Sequence, residues 1–122
     1  MRDNYQAWAK SAGWEVEGDG FWVQVGSRRQ LLTVVNESGV AVIRSRVARK
    51  AVLNRAGYAE RRAWQRNRVS ELVGFRVDSR GVMVAETPIP ADAGIDEWTY
   101  LAFNLARAAD RFECVLSGKD EE

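Results

Sequence analysis

Histidine is absent from this chain of 122 residues, and cysteine occurs once, as Cys114. Without histidine the chain lacks the side chain that most often transfers protons near neutral pH and binds zinc. Serine-histidine and cysteine-histidine nucleophilic sites are therefore excluded, and one cysteine cannot form an internal disulfide or a cysteine-rich metal site. The sequence thus predicts no catalytic residues, no metal site and no cofactor.

Long apolar runs and targeting segments are also missing. No run approaches the roughly 20 apolar residues needed to cross a bilayer, so membrane insertion is not expected. No N-terminal stretch has the order of a signal peptide, and the low cysteine content suits a reducing compartment, so we expect a cytoplasmic protein. The length fits a single domain over residues 1–117, followed by a frayed acidic tail over residues 118–122.

The first half of the chain shows a helical pattern followed by strand patterns. Apolar residues in "NYQAWAKSAGW" fall at helical spacing, and Gly13 suits the end of a short first helix. Alternating apolar residues on both sides of "GDG" predict a hairpin with Asp19-Gly20 in its turn. Further β-branched runs surround a turn at residues 37–39. We expect three or four antiparallel strands in a meander.

The second half contains a helix, a hairpin and a long helix. Residues 48–71 return to helical spacing, which predicts a middle helix ending near Asn67. A hairpin follows, with its turn at residues 78–81 and a return strand that Pro88 and Pro90 terminate. In the last helix we expect Asp96 as the N-cap. A hydrophobic staple between Ile95 and Tyr100 should accompany that cap.

An apolar stripe along the last helix should lie on the sheet. It comprises Trp98, Leu101, Ala102, Leu105, Ala108, Ala109, Phe112, Val115 and Leu116. Cys114 lies near this stripe, which favours a buried or half-buried thiol over a reactive one. The predicted fold is α+β, with an antiparallel sheet of about five strands and flanking helices in the order α-β-β-β-α-β-β-α.

Positive charge is concentrated in the middle of a nearly neutral chain. The net charge is +1, yet nine of the eighteen basic residues lie between Arg44 and Arg68, against the single acid Glu60. The cluster has three interpretations: a solvated helix, a dock for an acidic or amphipathic protein partner, or a surface for single-stranded nucleic acid. Near-neutral overall charge argues against a dedicated nucleic-acid binder.

The five tryptophans divide into two groups. Trp8, Trp14 and Trp98 fall on apolar faces, which predicts core positions. Trp22 alternates with Phe21 and Val23, so it is exposed or covers an interface if the core takes those two neighbours. Trp64 lies among arginines, and tryptophan and arginine recur as interface hot spots. The candidate partner-binding residues are Trp22, Arg55, Arg61, Arg62, Trp64, Arg66 and Arg68.

Several segments together resemble the bacterial YbjN family of sensory transduction regulators, which has the type III secretion chaperone-like fold. They are "AWQRN" ending at Asn67, "GFRVDSRGVMVAETPIP" over residues 74–90, and "ADRF" over residues 109–112. The resemblance is carried by the C-terminal half, and Arg62, Ala63 and Trp64 stand where such proteins often have large aliphatic residues. It implies a non-enzymatic binder of protein segments, often a homodimer.

The sequence therefore favours a chaperone- or adaptor-like module that captures a segment of another protein, with no enzymatic activity. A single-stranded nucleic-acid accessory protein is the alternative. An enzyme using only carboxylates is a further possibility, but Asp96, Glu97 and Asp110 on one helix are not expected to converge in a cleft.

Overall fold

The computed structural model describes residues 2–48 and 73–117, and side chains within 4–47 and 73–113. This part of the chain contains two helices and one antiparallel sheet of six strands, with the strand order β1-β2-β3-β4-β6-β5. The elements are α1 (Arg2–Ser11), β1 (Glu15–Glu17), β2 (Gly20–Val25), β3 (Arg28–Glu37), β4 (Val40–Ala48), β5 (Gly74–Val77), β6 (Met83–Pro88) and α2 (Ile95–Ser117).

The α+β class and the antiparallel sheet are confirmed, but the strand number is six instead of about five. The meander has four strands, the upper number of the three or four expected, because the predicted hairpin β1-β2 precedes β3 and β4; residues 18 and 19 form its turn, with Glu17 paired to Gly20. The predicted middle helix lies outside the described residues, and so does the acidic tail.

The turn between β1 and β2 is shifted by one residue from the predicted Asp-Gly turn. Gly18 has the positive φ of 58° that the turn requires, while Gly20 already belongs to β2. A Cβ on Gly20 would lie 2.9 Å from the carbonyl oxygen of Leu32. Gly20 therefore allows the close approach of β2 to β3, and does not form the turn.

One face of the sheet carries the core and is covered by both helices. Phe21, Val23, Leu32, Ile43 and Met83 are 2% exposed or less. Helix α2 packs across β2, β3, β4 and β6, and α1 packs at the end of the sheet near β1 and β2. The core thus lies between the sheet and α2, and we call the opposite side of the sheet its outer face.

Helix α2 follows the predicted stripe closely. Trp98, Leu105, Ala109 and Phe112 are fully buried, and the other stripe residues up to 112 are buried except Ala108, which is partly buried. The start of the helix differs from the prediction. The amide of Trp98 donates to the carbonyl of Gly94 at 3.0 Å, so the helix begins at Ile95 and Asp96 lies in its first turn.

Candidate protein-binding surfaces

A groove lies at one end of the sheet, between α1, the β3–β4 turn and the segment that follows β6. It has a volume of about 690 Å³. In the described part of the chain its lining contains no charged side chain. The lining residues are Asn4, Tyr5, Trp8, Asn36, Gly39, Val40, Ala41, Pro88, Ile89, Pro90, Ala91 and Ala93. Such a lining suits apolar groups, since a charged ligand would find no counter-charge there.

The wall on the α1 side is held by stacked aromatic rings. Tyr5 stacks on Trp98 with ring centroids 6.0 Å apart, and Trp8 meets Trp98 edge-on at 5.8 Å. Trp98 is fully buried and also contacts Phe21 at 5.2 Å. Because these rings belong to the core, the groove is walled by side chains whose positions the fold fixes.

The opposite walls are set by a turn and by two prolines. Ser38 and Gly39 both have positive φ, 53° and 84°, as a tight two-residue hairpin turn requires. The side-chain oxygen of Asn36 accepts a hydrogen bond from the Gly39 amide at 3.1 Å. The amide of Ile89 donates to the carbonyl of Ala41 at 2.8 Å, which ties the segment between the prolines to β4.

Trp22 lies on the outer face of the sheet, away from the groove. Phe21 and Val23 are in the core. Because successive side chains of a strand point to opposite faces of the sheet, the indole of Trp22 points to the outer face, as predicted for this case. The indole is half-buried, and the guanidinium carbon of Arg29 lies 4.6 Å from its ring centroid. Leu31, directly opposite on β3, is 38% exposed. We call Trp22, Arg29 and Leu31 the Trp22 patch.

Four charged side chains on the other half of the outer face are paired with one another. Arg44 contacts both Glu37 and Glu86, and the Arg76 Nε donates to Glu86 at 2.7 Å. Burial opposes ionisation of Glu86, but the hydrogen bonds from Arg76 and Arg44 outweigh it and hold the Glu86 pKa below its usual value. These charges stabilise the sheet and are therefore poor candidates for steering a partner.

A buried polar cluster joins α2 to the sheet. The carboxylate of Asp110, only 5% exposed, accepts hydrogen bonds from Arg28 Nη2 at 3.1 Å and from the Gln30 amide at 3.3 Å, and it lies 3.0 Å from Arg28 Nε in an ion pair. The same amide donates to Glu113 at 2.8 Å, and Ser45 donates to the Gln30 oxygen at 3.3 Å. The partners of Asp110 suit a structural role that fixes α2 on the sheet.

The carboxylates considered for acid-base chemistry do not come together. Asp96 and Glu97 are exposed at the start of α2, and Asp110 lies about 20 Å further along the helix axis. Among the described residues no group of three or more possible metal ligands is found. None of the helices in this part of the chain is both long and apolar enough to cross a membrane.

Most of the predicted partner-binding residues belong to the segment between β4 and β5. Arg55, Arg61, Arg62, Trp64, Arg66 and Arg68 lie outside the described residues, and so does the side chain of Cys114. Only Trp22 can be placed, and its role in binding stays a prediction.

Sequence reasoning missed two features. The groove forms where three distant segments meet, and its only local signals are the paired prolines and the aromatic residues of α1. The burial of Asp110 was also missed. Its signal is an acid within the apolar stripe, two residues before Phe112.

Comparison with solved structures finds a chain of similar fold. The fold is similar to a chain in the heterodimeric complex ExoU-SpcU from the type III secretion system of Pseudomonas aeruginosa, with a TM-score of 0.56. The match covers 92% of this chain and 97% of the other at 14% sequence identity. No protein-family model matches the chain, so the resemblance to the YbjN family stays a prediction. No curated protein matches it either. The chain therefore shares the α+β fold of that chain.

Proposed function

We propose that this protein is a non-catalytic, chaperone- or adaptor-like module that acts as a homodimer and captures a segment of a partner protein. The observation that carries the proposal is the groove beside α1. Its walls are mostly apolar apart from Asn4 and Asn36, it contains no charged residue in the described part of the chain, and its 690 Å³ lies within the range of binding pockets. An apolar stretch of polypeptide is the ligand that this chemistry fits best.

Binding would follow from burial of the partner's apolar side chains. Each large apolar side chain that leaves water contributes roughly 1.5–3 kcal/mol. Several such side chains, together with the second contact described next, are needed to exceed the roughly 4–15 kcal/mol lost on association and give a weak but specific complex. The Trp22 patch supplies a second contact surface. There the Arg29 guanidinium lies over the Trp22 indole, and tryptophan and arginine are both enriched among the residues that contribute most to binding at interfaces. Arginines between positions 55 and 68, with Trp64, would add charge complementarity.

The fold and the residue inventory support this proposal. The similar chain belongs to a complex of two proteins, which agrees with a protein partner. The absence of histidine from the sequence and the separation of Asp96 from Asp110 are consistent with a non-catalytic role. We further propose that the protein is cytoplasmic and belongs to the YbjN family.

The groove can be tested without disturbing the core, because Val40 lines it and is 47% exposed. Val40→Glu places a charge in the apolar groove and should abolish capture of a partner from a native cell extract. Leu31→Glu makes the same kind of change in the Trp22 patch and shows whether that surface contributes. Arg80→Ala, at an exposed position in the β5–β6 turn, is the matched control and should bind like the wild type.

Proteins retained by the wild type and by Arg80→Ala, but lost with Val40→Glu, would identify the partner. Equal retention by all variants would show that the groove is not the binding site. If the retained material is RNA or single-stranded DNA that salt releases, the nucleic-acid alternative replaces the proposal.

A further inference from the structure

The side of α2 that faces away from the core carries an ordered row of residues. Successive members of this row are four, three, four and four positions apart in the sequence, so their side chains lie along one stripe of the helix, opposite its buried face. We call this row the α2 stripe, and it consists of Asp96, Tyr100, Phe103, Arg107 and Arg111. All five are exposed, including two aromatic rings, at 61% for Tyr100 and 41% for Phe103.

The order of the residues along the α2 stripe is self-complementary. An acid stands near the N-terminal end, two aromatic residues lie in the middle, and two arginines stand toward the C-terminal end. Asp96 and Arg111 are each about 11 Å from a midpoint beside Phe103, and Tyr100 and Arg107 are each about 5 Å from it. A two-fold axis at that midpoint would bring unlike groups together.

An antiparallel pair of α2 helices has this symmetry. In such a pair Asp96 of each copy faces Arg111 of the other, Tyr100 faces Arg107, and the two Phe103 rings meet at the axis. Contacts of this kind are isologous, since each residue meets the same partner in both directions. The guanidinium of Arg107 already lies 5.8 Å from the Phe103 ring centroid, so the arginine is placed beside the aromatic centre.

We propose that the α2 stripe is the contact between two copies of this chain. This inference rests on the homodimer in the proposed function and assigns its interface. Two alternatives fit the stripe less well. An acidic protein partner would be repelled by Asp96, and a parallel pair of α2 helices would set like charges opposite each other. A single helix pair is a small interface, so we expect a dissociation constant in the micromolar range.

A charge swap tests the interface directly. Asp96→Arg or Arg111→Asp alone turns two attractive pairs of the dimer into repulsive ones, so each should raise the dimer dissociation constant about tenfold or more. The double variant D96R/R111D restores opposite charges and should return the constant toward that of the wild type. Sedimentation equilibrium on the purified full chain measures all three, with circular dichroism to confirm folding.

Asp92→Arg and Arg80→Asp are control reversals at exposed loop positions outside the stripe and should leave the dissociation constant unchanged. A wild type that stays monomeric at about 100 µM, well above the micromolar range expected for a small interface, would overturn the inference. A dissociation constant that the single reversals leave unchanged, or that the double variant does not return toward the wild-type value, would also overturn the inference. Neither result affects partner capture at the groove, which the Val40 variant tests separately.

Discussion

Replacing Arg28 with alanine should destabilise the protein by leaving a buried charge behind. The side chain of Asp110 is 8% exposed, whereas that of Arg28 is 41% exposed. Breaking a buried ion pair by removing one partner costs about 3–5 kcal/mol. Since the guanidinium is partly in water and Gln30 still donates to Asp110, we expect the low end, about 3 kcal/mol.

A second substitution should recover part of that loss. In the double variant R28A/D110N no charge stays buried, and the asparagine oxygen can still accept the hydrogen bond from Gln30. The double variant should lose only about 1–1.5 kcal/mol, so it is expected to be more stable than Arg28→Ala alone.

Urea unfolding monitored by circular dichroism measures these differences. In a thermal melt of a chain of this size, a loss of 1 kcal/mol in the free energy of unfolding lowers the melting temperature by roughly 4 °C. Arg29→Ala is the matched control, because its ion pair with Glu15 and its contact with the Trp22 ring lie at the surface and should together contribute only about 1 kcal/mol. A double variant no more stable than the single one would refute the assignment of the cost to the buried carboxylate.

Three further predictions concern the sheet and the core. Glu86→Gln should reduce stability at neutral pH. The Glu86 pKa is lowered in the folded state, so the ionised carboxylate stabilises the fold above its unfolded pKa of about 4.5, and this stabilisation is lost as the pH falls through the folded pKa. The melting temperatures of the wild type and the variant should therefore become equal in acid. Gly20→Ala should cost about 1–3 kcal/mol because its Cβ would meet a backbone carbonyl, whereas Gly74→Ala, with nothing within 4 Å, should be nearly neutral in the same thermal melts. Trp98→Ala should cost at least about 3–5 kcal/mol, while Trp22→Ala should cost far less and mainly weaken partner capture; comparable losses of stability would assign Trp22 to the core.

Local periodicity predicted the elements whose signals are contained within a few residues. The stripe of α2 up to Phe112 and the turn at residues 78–81 appear as expected, and the turn predicted at residues 37–39 appears as the two-residue turn 38–39, with Glu37 still in β3. In the last of these, Asp78 accepts hydrogen bonds from the amides of Arg80 and Val82, both at 2.9 Å, and these bonds lower its pKa. Short-range hydrogen bonding and side-chain alternation decide such features, so the sequence shows them directly.

Features that depend on distant segments were not predictable in the same way. The insertion of β6 between β4 and β5 is set by packing, and turn residues carry no information about it. The turn at Gly18 was misplaced because Gly-Asp-Gly allows two registers, and the clash that Gly20 avoids involves another strand. The apolar groove beside α1 needs α1, β4 and the residues after β6 together, so no single stretch of sequence reveals it.

The position of β6 has a consequence for synthesis of the chain on the ribosome. Strand β4 ends at residue 48, but its neighbour β6 begins 35 residues later, and α2, which covers the core, comes later still. Until those segments emerge, the nascent meander has an unfilled hydrogen-bonding edge and an uncovered apolar side, both of which promote aggregation. Truncations that remove β6 and α2 should therefore yield insoluble protein instead of a smaller folded domain.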